Sequence, residues 1–372
     1  MTVFRIDGFE TYGDTGTSNA DIETRIADSF QTTFQSLNGG FSGSKSLIAA
    51  TNGFAMQFPQ LGSAQGEFLV YEFPNGSFRH TNLKVSTNAS IKENVCGFRF
   101  YCPDITDNLT VELFAAMTSA SSSASSVSLL SGTGVRVRDA SSGDHDATGV
   151  FTKGAWHYVE VEYKLAPASA GGYMKVYVDG TEVVDTGSVN ITTFTFFSQY
   201  GLRLGVKASA NQTDTSEFFA LDDMYVLYYD GVIDSAPLGN CQVIPLKPDA
   251  DASPNDWTPS SGTDNFAMID GDDWDTGTYV EGSSGNDDHY TAVDLGSVDA
   301  VHAVQFTTIV QGQTSASDLQ IGCDNGTADE QNMGSIGTGS VVSKHQCHEV
   351  DPSGSAWTQS SVNSVESTQR VV

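Results

Sequence analysis

The sequence predicts an all-β protein built from two sandwich domains. Short runs of alternating apolar and polar residues recur along most of the chain, separated by Gly, Pro and Asn, which is typical of strands joined by turns. Charged residues make up only 17% of the chain, and Ser, Thr, Val and Phe are abundant. This composition suits a pleated sheet, which favours β-branched and aromatic residues. A length of 372 residues favours two domains over one.

The clearest strands are two alternating runs in the middle of the chain, "WHYVEVEY" and "MKVYVDG". In the first run Glu160 and Glu162 share one face, and apolar residues at the alternate positions occupy the other. One polar and one apolar face indicate an antiparallel sheet that is covered on one side. Asp179 and Gly180 supply the positive φ angles of a two-residue turn, so a hairpin is predicted there.

Further strands are predicted before and after this pair. They are "FRIDGFETY", "GFAMQF", "GEFLVYEF", "CGFRFYC", "NLTVELFAAM", "GVRVRD", "TFTFFSQY", "LRLGVKA" and "FALDDMYVLYYDG". The Ser-rich run "SASSSASSVSLLSG" is interpreted as a flexible turn between two strands. Between residues 19 and 38, apolar residues fall four apart after a Ser-Asn cap signal, which predicts a short helix. The alternative there is a Thr-rich loop. The four apolar residues are Ile22, Ile26, Phe30 and Phe34.

A domain boundary is predicted in the linker at residues 234–239, which contains Pro237. The domains are then residues 1–234 and 235–372. The second domain reads as a smaller β-sandwich with a helical turn or two in "SAWTQSSVNSVE". Its predicted strands are "TYVEG", "HYTAVDL", "AVQFTTIV", "DLQIGC" and "GSVVSKHQCHEV".

The first domain resembles the concanavalin A-like, laminin-G-like jelly roll. The resemblance lies in the Trp-led strand, the gap ending in Gly, "VYVDG" and the closing "LDDMYVLY". It implies that the first and last strands are neighbours in one sheet. The opening "IDGFETYG" resembles the first strand of this module in tailed-bacteriophage virion proteins. The region from "GVIDSAPLGNCQVIPLKP" onward resembles the segment that follows the module in phage structural proteins.

This resemblance implies a non-enzymatic structural component of a tailed-phage virion: a capsid decoration, collar, tail or fibre protein. Its implied location is the virion, and its implied partners are other virion proteins and copies of itself, with a trimer as the analogy from the family. The alternative is a lectin-like protein that binds host surface glycans.

Catalysis is not predicted. Glycoside hydrolysis needs two carboxylates across a sugar, and the E-x-D-x-x-E pattern of retaining hydrolases on this fold is absent. Glu160 and Glu162 come closest, and such a pair is usually a solvated face. No GxSxG elbow is present. We therefore expect no enzyme activity and no catalytic residue.

Metal and cofactor sites are not predicted either. His345, Cys347 and His348 in "KHQCHEV" point to opposite faces of a strand, and no second cluster completes a tetrahedron. The pair Asp222-Asp223 is interpreted as a turn and cap device.

The loop "DGDDWDTG" is Asp-rich, and its spacing departs from that of a calcium-binding EF-hand loop. A turn is favoured there over a calcium site. The residues concerned are Asp270, Asp272, Asp273, Asp275 and the late match Glu281.

Three tryptophans are candidates for ligand contacts or for the core. Trp257 and Trp274 lie in polar loops and offer aromatic platforms that could stack on sugars. Trp156 begins a strand and is predicted to belong to the core.

The charge is strongly acidic, −29 in total, with 20 acidic and three basic residues after residue 240. Such a surface repels phosphate backbones and anionic membranes, so nucleic-acid binding is not expected. Five scattered cysteines indicate free thiols made in a reducing compartment, with a Cys323–Cys347 bridge as the alternative. The first residues lack a secretory signal pattern, and no apolar run approaches membrane-spanning length.

Overall fold

The computed structural model describes most of the chain. The described residues are 2–7, 32–37, 46–50, 53–58, 66–72, 93–104, 110–119, 122–130, 133–164, 166–191, 201–208, 219–228, 236–271, 277–313, 317–339 and 341–372. They form two compact units that divide between Val243 and Ile244. The predicted boundary between residues 234 and 235 lies outside the described residues.

The first unit is a sandwich of two antiparallel sheets. Its described strands are β1 (Thr2–Asp7), β2 (Thr32–Leu37), β3 (Ser46–Ala50), β4 (Gly53–Phe58), β5 (Gly66–Glu72), β6 (Glu93–Cys102), β7 (Thr110–Ser119), β8 (Ser122–Leu130), β9 (Gly134–Arg138), β10 (Asp144–Ala147), β11 (Ala155–Lys164), β12 (Tyr173–Val178), β13 (Thr181–Asp185), β14 (Gly201–Ala208) and β15 (Phe219–Tyr228). A 3-10 turn spans Ala168–Ala170.

The front sheet has the order β13-β12-β11-β6-β15-β4-β3, and the back sheet has the order β10-β9-β8-β7-β14-β5-β2. The core lies between them, where the rings of Phe114 on β7 and Tyr163 on β11 are 5.3 Å apart. β1 pairs with β15, so the first and last strands are neighbours, as the jelly-roll resemblance implied. The predicted all-β sandwich fold is confirmed.

The central hairpin is also confirmed. β12 and β13 are joined by Asp179 and Gly180, whose φ angles are 50° and 77°. These are the two left-handed positions of the tight turn that suits the twist of paired strands.

Two secondary-structure predictions in the first unit are wrong. The residues of the expected helix that the structure describes, Thr32–Leu37, form strand β2 and pair with β5. A spacing of four residues is also a multiple of two, so the apolar pattern fits one face of a strand equally well. The Ser-rich run is strand β8, in which Val127 and Leu129 are buried at alternate positions. The predicted strand "TFTFFSQY" lies outside the described residues.

The second unit is smaller and is also mostly β. Its described strands are β16 (Pro248–Asn255), β17 (Thr258–Pro259), β18 (Val280–Glu281), β19 (Asp287–Ala292), β20 (Val304–Gln311), β21 (Ser317–Asp324), β22 (Ala328–Ile336), β23 (Val341–His348) and β24 (Glu366–Val371). A 3-10 turn spans Phe266–Met268.

Its main sheet has the order β16-β19-β24-β21-β22. The pairs β17-β18 and β20-β23 form two further two-stranded sheets. A single helical turn, α1 (Gln359–Val362), begins after Thr358, whose hydroxyl accepts a hydrogen bond from the Ser361 N–H at 3.1 Å. This confirms the predicted helical turn, and its start is a capping box. No helix in the described part of the chain is long and apolar enough to cross a membrane.

The sequence patterns did not predict four strands of this unit: β16, β17, β22 and β24. β16 reads "PDADASPN" and lies at the edge of the sheet, where proline is tolerated because the outward N–H groups need no partner. All five cysteines are free thiols. The alternative of a Cys323–Cys347 bridge is therefore wrong.

Candidate functional site

The outer face of the front sheet, turned away from the core, carries several polar and aromatic side chains on neighbouring strands. The pairing of β11 with β6 puts Trp156 opposite Tyr101, Tyr158 opposite Arg99 and Glu160 opposite Gly97. Residues directly opposite each other in an antiparallel pair share one face. Both glutamates that the sequence placed on one face, Glu160 and Glu162, belong to this face.

A short segment, residues 236–243, lies across the middle of this face, and we call it the strap. Its Leu238 N–H donates a hydrogen bond to the Tyr225 hydroxyl at 3.1 Å. Its Gly239 N–H donates to Oε1 of Glu160 at 2.9 Å. Backbone donors of the strap are thus satisfied by side chains of the sheet, which holds the strap in place.

Glu160 is buried beneath the strap, with 1% of its surface exposed. It accepts hydrogen bonds from the Tyr225 hydroxyl and the Gly239 N–H. Burial raises the pKa of Glu160, and these hydrogen bonds partly oppose the rise. The expectation of a solvated glutamate is therefore wrong for Glu160, because the strap that covers it comes from a distant part of the chain.

The raised pKa of Glu160 leads to a pH-dependent effect on stability. A carboxyl whose pKa is higher in the folded than in the unfolded state binds protons more tightly when folded. Its contribution to the free energy of unfolding therefore falls as pH rises from about 4 through the raised value. We expect Glu160→Gln, which cannot ionise, to gain stability relative to the wild type over that range. Urea unfolding of both proteins at several pH values measures this difference, and a constant difference would contradict it.

Arg99 and Asp223 form a second buried polar contact on the same face. Arg99 Nη1 lies 3.2 Å from Oδ2 of Asp223, and Oδ1 of Asp223 accepts a hydrogen bond from the Val243 N–H at 2.8 Å. Burial raises the pKa of Asp223, and the Val243 N–H and Arg99 oppose that rise. Asp223 has a φ of 47° and sits where the register of β15 shifts against β6. It therefore caps the strap from a bulge, which agrees with its predicted role as a cap device.

Trp156 lies at the end of this face, and 37% of it is exposed. Its ring centroid is 5.6 Å from that of Tyr101, with an angle of 60° between the planes. The prediction that Trp156 belongs to the core is wrong. Its position in β11 is on the same side as Tyr158 and opposite to the buried Val159, so the alternation turns it outward.

Glu162 is held by two tyrosines in the open part of the face. The Tyr173 hydroxyl donates to Oε1 of Glu162 at 2.6 Å, and the Tyr177 hydroxyl donates to Oε2 at 3.1 Å. Burial raises the pKa of Tyr177, and the Glu162 carboxylate raises it further, so this hydroxyl stays protonated. Lys175 lies between the tyrosines and pairs with Glu182 at 3.5 Å. The carboxylate is thus fixed in orientation, with lone pairs left to accept further hydrogen bonds.

The remaining sequence candidates are the loop tryptophans, the Asp-rich loop and the "KHQCHEV" run. Trp257 is partly buried against Gly282, where a Cβ would lie 2.5 Å from the Trp257 ring, and it packs on a core cluster. It offers no open platform. Residues 272–276, which include Trp274 and three of the predicted loop aspartates, lie outside the described residues.

"KHQCHEV" begins in β23, where His345 and Cys347 lie on one face of the strand and His348 on the other, as predicted. His348 contacts Asp329 at 3.1 Å through Nδ1, and its Nε2 is 3.9 Å from the Cys323 sulfur. This order of thiol, imidazole and carboxylate is the arrangement that could activate the Cys323 thiol as a nucleophile. However, Cys323 is fully buried, and burial raises its pKa to about 12. Such a thiol stays protonated and unreactive.

Comparison with known proteins finds similarity only to solved structures, and at low identity. No protein-family model matches it, and no curated protein matches it. A glucuronan lyase from the fungus Trichoderma reesei aligns over 60% of this chain and 95% of its own, with 17% identity and a TM-score of 0.34. An alginate lyase in complex with an alginate tetrasaccharide aligns over 59% and 95%, with 9% identity and a TM-score of 0.36. Domain 4 of an arabinanase from Geobacillus stearothermophilus, in complex with arabinotriose, aligns over 53% and 81%, with 17% identity and a TM-score of 0.30.

The sequence prediction that the protein is not an enzyme is contradicted by this set, in which polysaccharide lyases recur. The resemblance to phage virion proteins has no counterpart among the structures named above, and it stays a prediction.

Proposed function

We propose that this protein binds carbohydrate through the part of the front-sheet face that the strap leaves open. The observation that carries the proposal is one sheet face that presents an exposed aromatic ring, Trp156, on one side of the strap and a preoriented carboxylate, Glu162, on the other. The strap covers the part of the face between them, at Glu160 and Tyr225. This is the lectin-like alternative of the sequence analysis.

The chemistry of this face suits a sugar. Aromatic rings present a flat apolar surface with a polar rim, which can pack on the apolar face of a sugar ring. A carboxylate already held by two hydroxyls can accept hydrogen bonds from sugar hydroxyls with little loss of side-chain entropy. Glu162 lies beside the rings of Tyr173 and Tyr177, and polar groups next to aromatic ones are the usual composition of small-ligand sites.

The local charge favours neutral sugars over acidic ones. Around Lys175 stand three carboxylates, those of Glu162, Glu182 and Asp185. The chain as a whole carries a net charge of −29. A polyuronate would be repelled by this surface, and the repulsion would weaken at high salt. We therefore expect neutral glycans to bind more tightly than alginate or glucuronan.

The test is Trp156→Ala against a glycan array of neutral, amino and uronic-acid sugars. We expect the wild type to bind a neutral glycan and the variant to bind it at least about tenfold more weakly, which corresponds to about 1.4 kcal/mol. Tyr279→Ala is the matched control, because Tyr279 is an exposed aromatic residue of the second unit. We expect that control to bind as the wild type does.

Two outcomes would count against the proposal: no retention of any glycan, or equal binding by wild type and Trp156→Ala. Incubating each bound glycan with the protein and measuring its chain length shows whether binding is accompanied by cleavage. Shortened chains would extend the proposal from recognition to turnover.

The virion location, the virion partners and the trimer stay predictions from the sequence resemblance. A glycan-binding face would serve attachment in that setting. Light scattering of the purified protein tests self-association directly, and a stable monomer would contradict the predicted homo-oligomer.

A further inference from the structure

We propose that the second unit contains a binding site for one divalent transition-metal cation, formed by Asp287, His289 and Glu330. One ligand atom from each lies within 4.8 Å of the others. The side chains are 13%, 5% and 10% exposed. Such a group of N and O ligands in a mostly buried position suits Zn²⁺ and similar ions.

The strand register brings these residues to one face of the main sheet. His289 on β19 is opposite Thr368 on β24, and Thr368 is opposite Gly322 on β21. Gly322 is in turn opposite Glu330 on β22. Directly opposite residues share a face, and the two central positions carry small side chains. Glu330 and His289 can therefore approach each other above Thr368 and Gly322.

Each of the three side chains has one atom fixed and one atom free. Nδ1 of His289 is 3.0 Å from Oε2 of Glu366. Arg370 donates from Nη2 to Oδ2 of Asp287 at 2.5 Å, and its Nη1 lies 3.3 Å from Oε2 of Glu330. Carboxylate and cationic partners that orient metal ligands through their outer atoms are typical of metal sites.

The free atoms are the buried ones that lack a hydrogen-bond partner: Oδ1 of Asp287, Nε2 of His289 and Oε1 of Glu330. The Thr368 hydroxyl on the same face is likewise buried and unsatisfied. Buried polar atoms normally have a hydrogen-bond partner. A group of unpartnered polar atoms in one place therefore indicates that a ligand binds between them.

A water molecule does not satisfy this arrangement. When the Glu366 carboxylate holds the imidazole proton on Nδ1, the free Nε2 of His289 is an acceptor, as are the two free carboxylate oxygens. Water has two protons for these three acceptors. A cation satisfies all three at once. The charges agree, since Asp287, Glu330 and Glu366 outnumber Arg370 by two negative charges.

The competing arrangement is a doubly protonated His289 that donates to Glu366 and faces Oδ1 of Asp287 at 3.4 Å. It predicts no metal uptake. The imidazole ligand separates Zn²⁺ from Ca²⁺ and Mg²⁺, which prefer all-oxygen sites. We therefore expect Zn²⁺ to bind and Ca²⁺ to bind far more weakly.

The experiment is calorimetric titration of the full chain with Zn²⁺ after chelator treatment and dialysis, together with metal analysis of the loaded protein. We expect one Zn²⁺ per chain and a rise in melting temperature on binding. Glu330→Gln, at a partly exposed edge strand, is expected to weaken binding at least about tenfold, in line with the loss of a charged ligand. Glu281→Gln, the same change at an exposed position, is the control and should bind as the wild type does.

The proposal would be overturned by the absence of heat with Zn²⁺, or by Zn²⁺ binding that Glu330→Gln leaves unchanged. A folded His289→Gln variant that still takes up one Zn²⁺ with wild-type affinity would do the same. If His289→Gln fails to fold, the Glu330→Gln titration decides alone. Co²⁺ in place of Zn²⁺ adds a spectroscopic readout, because its visible absorption reports ligand geometry in the wild type and in Glu330→Gln.

Discussion

Arg99→Ala is expected to destabilise the first unit by about 3–5 kcal/mol, because it removes one partner of a buried ion pair and leaves the other charged. Arg99 Nη1 is 3.2 Å from Oδ2 of Asp223, which is buried and has no hydrogen-bond partner on that oxygen. Asp223 also accepts the Val243 N–H of the strap. We therefore expect the strap to loosen with the pair. Urea unfolding measures the loss of stability, and hydrogen exchange at Val243 measures the loosening.

Two variants separate this effect from the loss of any arginine. Arg138→Ala removes an exposed arginine that pairs with Asp144 at 2.9 Å, and a surface pair of this kind contributes less than about 1 kcal/mol. Arg99→Met combined with Asp223→Asn removes both charges. Asn tolerates the left-handed backbone of this position and still accepts the Val243 N–H. We expect this double variant to be more stable than Arg99→Ala, and the reverse order would contradict an uncompensated charge.

Local patterns predicted the parts of the fold that depend on local geometry. The turn at Asp179 and Gly180 needs only two residues with positive φ, and both have it. The alternation along β11 predicted that Glu160 and Glu162 share a face, which they do. The single helical turn at Gln359–Val362 follows from the cap at Thr358.

Local patterns gave wrong predictions in two situations. In one, a helix and a strand fit the same spacing of apolar residues; in the other, the composition suggested a flexible segment where a strand forms. Apolar residues four apart satisfy both a helix and one face of a strand, and only the hydrogen bonds to β5 decide for Thr32–Leu37. In β8 the serines suggested flexibility. Serines nevertheless alternate with the buried Val127 and Leu129 in this strand. The buried Ser125 hydroxyl donates a hydrogen bond to the Ile191 carbonyl at 2.7 Å.

The candidate sites depend on contacts that no local pattern contains. Gly239 and Glu160 are 79 positions apart in the chain, so the burial of Glu160 could not be inferred from β11 alone. In the second unit, the spacing of Asp287 and His289 suggests a shared face. Glu330 and Arg370 join them only through the pairing order of β19, β24, β21 and β22. The strand register decides which residues of different strands lie next to each other, and it is a property of the assembled sheet.

Gly97→Ala is expected to destabilise the first unit by roughly 3–5 kcal/mol, through overpacking and the loss of a buried hydrogen bond. A Cβ at Gly97 would lie 2.2 Å from Cε1 and 2.7 Å from Cζ of Tyr225. The tyrosine ring therefore rests directly on the glycine. Displacing the ring would remove its hydroxyl from Glu160 and from the Leu238 N–H. The Glu160 carboxyl would then be left buried with fewer partners, and the strap would lose its hydrogen bond from Leu238 to Tyr225.

The clash with Tyr225 can be isolated with a double-mutant cycle. In a Tyr225→Ala background the ring is gone, so adding Gly97→Ala should cost less than about 1 kcal/mol, and the two changes should be strongly non-additive. Gly296→Ala is the control for glycine replacement itself, because a Cβ there meets nothing within 4 Å. We expect that variant to lie within about 0.5 kcal/mol of the wild type. Additive losses in the cycle would mean that Gly97 is required by its own backbone and not by the ring that packs on it.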